Sequence, residues 1–253
     1  MAFSRATALG DRPEDAGLTR DMVGIGMRFA AESNPRASIE ETLVHASTLG
    51  MEEHDLRVLA VLTTWLGIHH GNVNADRLVR CVSEHASERV RAYWAAVGSW
   101  LAKDRRFARL GKLHDGSAID LLPVGTEFQI GRRGEDERFT GSALRVPAGT
   151  LREREGDVLP PEALVNRHAG YRNRVQMGPT WRADVWTVLE EQPNASVAEA
   201  ARRAGCSFAT AWQVAQDFRL LRRAARDSES SAGPSGTPEP PVPGRADPGR
   251  RRS

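Results

Sequence analysis

Four groups of side chains in this 253-residue chain are of the types that do chemistry. The first is acidic: Asp115, Asp120 and Glu127, with Gly116-Ser117 shortly before Asp120 in a strand-like context. Such a pattern would hold a catalytic metal if a second carboxylate stood two residues after Asp120, but Leu122 stands there. The second is a set of histidines, His45, His54, His69, His70 and His85, which fall on different predicted helices at no ligand-like spacing. A histidine at a helix end before Gly71 is accounted for by the helix dipole. The third is the pair Cys81 and Cys206, one in each half of the chain, which forms neither a disulfide framework nor a metal pattern. The fourth is cationic: Lys103, Arg105, Arg106, Arg109 and Lys112 crowd one predicted helix end. They suit a phosphate or an acidic partner, or form a solvated face. No Ser-His-Asp order, phosphate loop or dinucleotide fingerprint is present. The expectation is therefore a chain with no catalytic set, no metal and no cofactor.

The elements that carry these groups begin with the composition. At 40% hydrophobic content the chain can bury a substantial core, and its length suits one large domain or two small ones. The longest apolar stretch, Val58 to Ile68, is interrupted by Thr63 and Thr64 and is far short of the ~20 residues of a membrane span. The first ten residues lack the continuous apolar run of a secretory signal. No membrane association and a reducing, cytoplasmic location are expected. A net charge of +2 excludes a globally basic chain, so any electrostatic argument rests on local clusters.

The periodicity predicts a mainly α protein. Residues 1–17, rich in Gly, Asp, Arg and Pro, read as a loose arm, and 18–110 as a helical domain. Ser38 and Glu41 form a capping box opening a helix that ends near Gly50. The segment Glu52 to Ile68 is apolar on most sides, as the central helix of a bundle is. Val73 to His85 and Ser87 to Leu110 follow, the latter with Val90, Trp94, Val97 and Leu101 on one face. Through 111–161 the helical period disappears and short alternations appear at Ile119 to Val124, Glu127 to Ile130 and Ala143 to Val146. This stretch reads as a small β element or an ordered linker, with Gly131-Arg132-Arg133-Gly134 as a hairpin tip. Pro160-Pro161 starts a short helix. From Asp227 the chain turns to Ser, Gly, Pro and Arg, so 227–253 is predicted to be a disordered tail, with Arg250-Arg251-Arg252 near its end.

The most informative run is Ser196 to Gln216. Ser196 and Glu199 form a second capping box at the start of a short helix. Ala201 is small where two helices would cross closely, and Gly205 stands where a tight turn needs positive φ. Ser207 caps the next helix, whose inward positions are Ala211, Val214, Phe218 and Leu221. Phe208, Ala209, Trp212, Gln213 and Gln216 are left outward. Upstream, Thr180 caps a helix to about Glu191, with Trp181, Val185 and Leu189 on the covering face.

With Ala201, Gly205, Ala211 and Val214 in this pattern, and the run Gly205-Cys-Ser-Phe-Ala-Thr210, the segment Thr180 to Arg223 resembles the helix-turn-helix family. The resemblance implies a C-terminal three-helix unit, 162–226, that docks in the major groove of double-stranded DNA. It also implies base-reading positions at Ser207, Phe208, Ala209, Trp212, Gln213 and Gln216. Gln213 and Gln216 can pair an adenine edge, and Phe208 can touch a thymine methyl. Trp212 is bulky where that family is usually polar, which leaves open whether it faces DNA or protein. The outward face carries no Arg or Lys, so phosphate contacts fall to Arg202 and Arg203, to Arg219, Arg222 and Arg223, and to Arg167, Arg172 and Arg174. Tyr171 either packs on sugar or seals a domain edge. The expected function is that of a repressor-like transcriptional regulator, working as a homodimer because one unit reads only a few base pairs. The alternative is an antitoxin-like module that binds a partner protein through its N-terminal helices and represses its own gene.

Overall fold

The computed structural model describes residues 9–231, and the fold they form is mainly α-helical. The chain divides into two compact units, Met1–Ala215 and Gln216–Ser253, with helix α11 running through the boundary. The first unit is built around a helical bundle: α1 (Asp15–Gly24), α2 (Ile39–Glu52), α3 (Leu56–His69), α4 (Ala75–Ser83) and α5 (Glu88–Trp100).

Helix α3 is the central element that its sequence predicts, with Val58 through Leu66 buried without interruption. Two threonines fit this apolar setting because Thr63 and Thr64 each donate to a carbonyl four residues back, at 2.8 Å in both cases. Trp65 is fully buried and gives its indole N–H to the Ile25 carbonyl at 2.7 Å. Asp55 caps α3, Asn74 caps α4 and Ser87 caps α5, each accepting a first-turn backbone N–H.

Ser38, by contrast, stands at the N-cap of α2 without making a cap bond, and its buried hydroxyl has no hydrogen-bond partner among the described residues. The expected capping box fails because Glu41 turns to Arg77, 2.6 Å away, instead of returning to Ser38. The expected loose arm is also shorter than its composition suggests. Asp15 to Gly17 already belong to α1, and Arg12 is held by Asp15 and Glu53.

The middle of the chain is a brace on the bundle. Leu121, Phe139, Leu144, Val146 and Leu151 are buried in the same hydrophobic core as α1–α5. Two short strands, β1 (Ile119–Asp120) and β2 (Leu144–Arg145), pair in parallel with Ile119 opposite Leu144. No hairpin forms at Gly131–Gly134. The segment Thr126–Arg133 is a helix, α6, closed by Gly134 at φ +81°. A C-terminal glycine of a helix and a hairpin glycine both use positive φ, so glycine spacing alone does not separate them.

Helices α7 (Pro161–Arg167) and α8 (Ala169–Met177) lead to α9 (Trp181–Glu191), which packs on α8 and on α10 (Val197–Ala204). Helix α11 (Phe208–Ser231) continues past Asp227, so residues 227–231 of the predicted tail are helical. The rest of that tail, 232–253 with Arg250 to Arg252, lies outside the described residues, as do 1–8. No helix among the described residues is long and apolar enough to cross a membrane.

Candidate nucleic-acid interface

Helices α10 and α11 are joined by three residues, Gly205 to Ser207, and the sequence dictates this turn locally. Ser196 opens α10 by accepting the Glu199 N–H at 3.1 Å. The Glu199 carboxylate bonds Arg202 rather than completing a box. Gly205 ends α10 at φ +70°, which lets its own N–H reach the Arg202 carbonyl and the Cys206 N–H reach Ala201. Ser207 then caps α11, accepting the Thr210 N–H at 3.1 Å. Small residues occupy the interior here, since Ala200, Ala201, Ala204, Ala211, Val214 and Ala215 are all buried. Burial pushes the Cys206 thiol up to about 11, so it stays protonated at neutral pH.

The expected base-reading residues of the first unit lie outward. Ser207, Ala209 and Gln213 are exposed, Phe208 is 59% exposed and Trp212 48%. Trp212 and Phe208, four apart on one helix, are not covered by the bundle. In the second unit Gln216 is half-buried, Phe218 is buried and Arg219, Arg222 and Arg223 are exposed. Leu221, inward by its period, is 55% exposed, and every residue from Arg219 to Asp227 is exposed.

The remaining expected phosphate contacts divide by what already holds them. Arg167 is exposed. Arg202 is exposed and paired with Glu199 at 2.5 Å, an exchangeable surface contact. Arg203 is tied to Glu191 at 2.9 Å, and Arg172 lies 3.8 Å from Glu190. Arg174 is excluded from any surface role. It is 4% exposed and directs all five N–H donors inside the protein: to both oxygens of Glu40, twice to Asp184 Oδ1, and to the Asn72 carbonyl. Burial works against its charge, but Asp184 and Glu40 overcome this and raise its pKa. Asn74 completes the node by donating to Asp184 at 2.8 Å. Tyr171 is fully buried, so its hydroxyl serves the seal. It donates to His69 Nδ1 at 2.8 Å and accepts from Asn72, while His69 Nε2 donates to the Leu159 carbonyl.

Two arginines from earlier in the chain, Arg80 on α4 and Arg109 beyond α5, meet the turn in a way that no local sequence pattern announces. Arg80 donates to the Gly205 carbonyl, and its guanidinium lies 5.7 Å from the Trp181 ring centre. Arg109, from the basic run, shares a groove with Arg80, Trp181, Ser207 and Thr210. Among the described residues its ion pair is with Asp76, and both partners are largely exposed. Arg106 of the same run is consumed by Asp104 at 2.5 Å.

Asp115 is exposed, while Asp120 and Glu127 both pair with Arg145. Among the described residues, no group of three His, Cys, Asp or Glu side chains is placed to hold a metal ion. The chain matches no family model, no curated protein and no solved structure.

Proposed function

We propose that this chain is a sequence-specific binder of double-stranded DNA, a repressor-like transcriptional regulator of the cytoplasm in which α10 and α11 form a helix-turn-helix. The observation that carries the reading is the turn: a left-handed Gly205 and a capping Ser207 launch a helix whose Phe208, Ala209, Trp212 and Gln213 are exposed. A helix presented by its N-terminal turn is what major-groove docking requires. Gln213 supplies the amide that pairs an adenine edge, and Gln216 is its expected partner in reading. Phosphates go to the side chains that are exposed and weakly held, Arg109 and Arg202, with Arg167, Arg219, Arg222 and Arg223 as further contacts. A homodimer would double the number of base pairs read. No catalytic step belongs to this reading.

A second reading is favoured by the exposure of Phe208 and Trp212, two large apolar side chains on adjacent turns of α11. In it, this face or the N-terminal bundle binds a partner protein, as in the antitoxin-like alternative. The test is fluorescence anisotropy of the purified chain on its own upstream DNA across a salt series. Binding that prefers this DNA, weakens with salt and loses its preference in Gln213→Ala with Gln216→Ala supports the regulator. Absence of DNA binding at low salt, with a neighbouring gene's product co-purifying in a Trp212-dependent way, supports the partner protein.

A further inference from the structure

The N-terminal end of α2, the start of α8 and parts of α9 and α10 line a cavity of about 200 Å³. Its walls carry hydrogen-bond donors that nothing among the described residues accepts. Among the described residues, the Ser38 hydroxyl, Arg77 Nε and Arg203 Nη1 are buried without a hydrogen-bond partner, and all three residues line this cavity. The carboxylate oxygen facing Arg77 Nε, on Glu40, is 3.9 Å away, too far for a hydrogen bond. Among the described residues the other such atoms, on Gln129 and Arg154, belong to residues outside these walls. Native interiors contain few unpaired polar groups, because each one is a donor or acceptor taken out of water with nothing to replace it. Three donors gathered at one cavity thus point to a missing acceptor.

The carboxylates close by are already engaged. Glu41 is 2.6 Å from Arg77 Nη2, Glu191 is 2.9 Å from Arg203 Nη2, and Asp184 and Glu40 clasp Arg174. Arg36, at the rim, has no carboxylate partner among the described residues. The first turn of α2 adds its own positive end, because Ser38 makes no cap bond there. Arg77 is 8% exposed, so its unpaired Nε is part of the interior and not a solvated surface group. Size limits the occupant: an engineered cavity of roughly 150 Å³ takes up benzene.

We propose that this cavity is a binding site for a small oxyanion, a phosphate or a compact carboxylate, with Ser38, Arg77 and Arg203 supplying the donors. The site stands whether or not the chain binds DNA. Its position suits an effector, because Arg203 and Ala204 form the end of α10 just before Gly205, so an occupant is held by the bundle and by α10 together.

The experiment is the Tm of the full chain in sodium phosphate, sodium benzoate or sodium chloride at matched ionic strength. At about 20 mM, at least one oxyanion raises Tm by several degrees over chloride, and the arm that does so identifies the headgroup. Ser38→Ala and Arg203→Met each abolish that difference. Ser38→Ala leaves the ligand-free Tm near the parent value, because the hydroxyl it removes makes no bond. Oxyanion arms that stay within about 1 °C of chloride, or an equal rise in parent and variants from general salt stabilisation, overturn the proposal and leave the cavity to water.

Discussion

Arg174 and Arg202 look alike in the sequence, each on a short helix close to another arginine, yet they belong to two regions built on opposite terms. At the seam of α2, α8 and α9, Arg174 is buried and all its donors are used. On α10, Arg202 is 65% exposed and held by one neighbouring carboxylate. The seam fixes one geometry, since a buried guanidinium tolerates no loss of a partner, whereas Arg202 on α10 and Gln213 on the first turns of α11 stay exposed. An arginine's role is thus set by the carboxylates the fold brings to it, not by its neighbours in the chain.

The largest effect that would break this contrast is at the seam. Arg174→Ala leaves Glu40 and Asp184 buried without their cation and should cost about 3–5 kcal/mol in chemical denaturation, whereas Arg202→Ala should leave the denaturation midpoint close to that of the parent. Similar losses for the two would erase the distinction. Next comes pH. Burial lowers the His69 pKa to about 4, below the 6.5 of the unfolded chain. Between these values the unfolded chain takes up the proton and the folded chain does not. Stability is therefore whole above pH 6.5 and falls as pH drops toward 4, by about 3 kcal/mol at most for this residue. His45, His85 and His168 are shifted the same way by burial. His69→Gln should flatten its share of the acid slope, and an unchanged slope would separate His69 from the seam.

A smaller cost is expected at the turn. A Cβ on Gly205 would meet only Trp181 at an ordinary 3.7 Å, so Gly205→Ala pays for its backbone conformation alone, about 1–2 kcal/mol. Smallest in stability but sharpest in function is Arg109→Ala. Its melting should be unaltered, while the dependence of log K for DNA on log salt should lose about one unit of slope. An unaltered slope would remove Arg109 from the interface.

What is legible in the sequence follows the same division. The turn is written locally: Ser196, Gly205 and Ser207 act on backbone groups within three or four residues as their types predict, although Glu199 bonds Arg202 and leaves the Ser196 box half made. The apolar period of α3 is equally direct. Arg174 reads as a phosphate contact because its decisive partner, Glu40, lies 134 residues away. Arg80 escapes notice for the same reason, reaching Gly205 across 125 residues. The Ser38 box fails because the distant Arg77 draws Glu41 away from the local bond, and Leu221 keeps the helical period in a stretch whose residues, Arg219 to Asp227, are all exposed.

The functional reading stands or falls on whether the face beginning at Ser207 reads bases. Selection from a pool of random duplexes decides this, run in parallel with the parent chain and the Gln213→Ala, Gln216→Ala variant. The parent should enrich a short motif, arranged as two half-sites if it acts as a dimer, and the variant should still bind but lose the preference at adenine positions. Enrichment of no motif by the parent, or the same motif from parent and variant, would contradict base reading by this face.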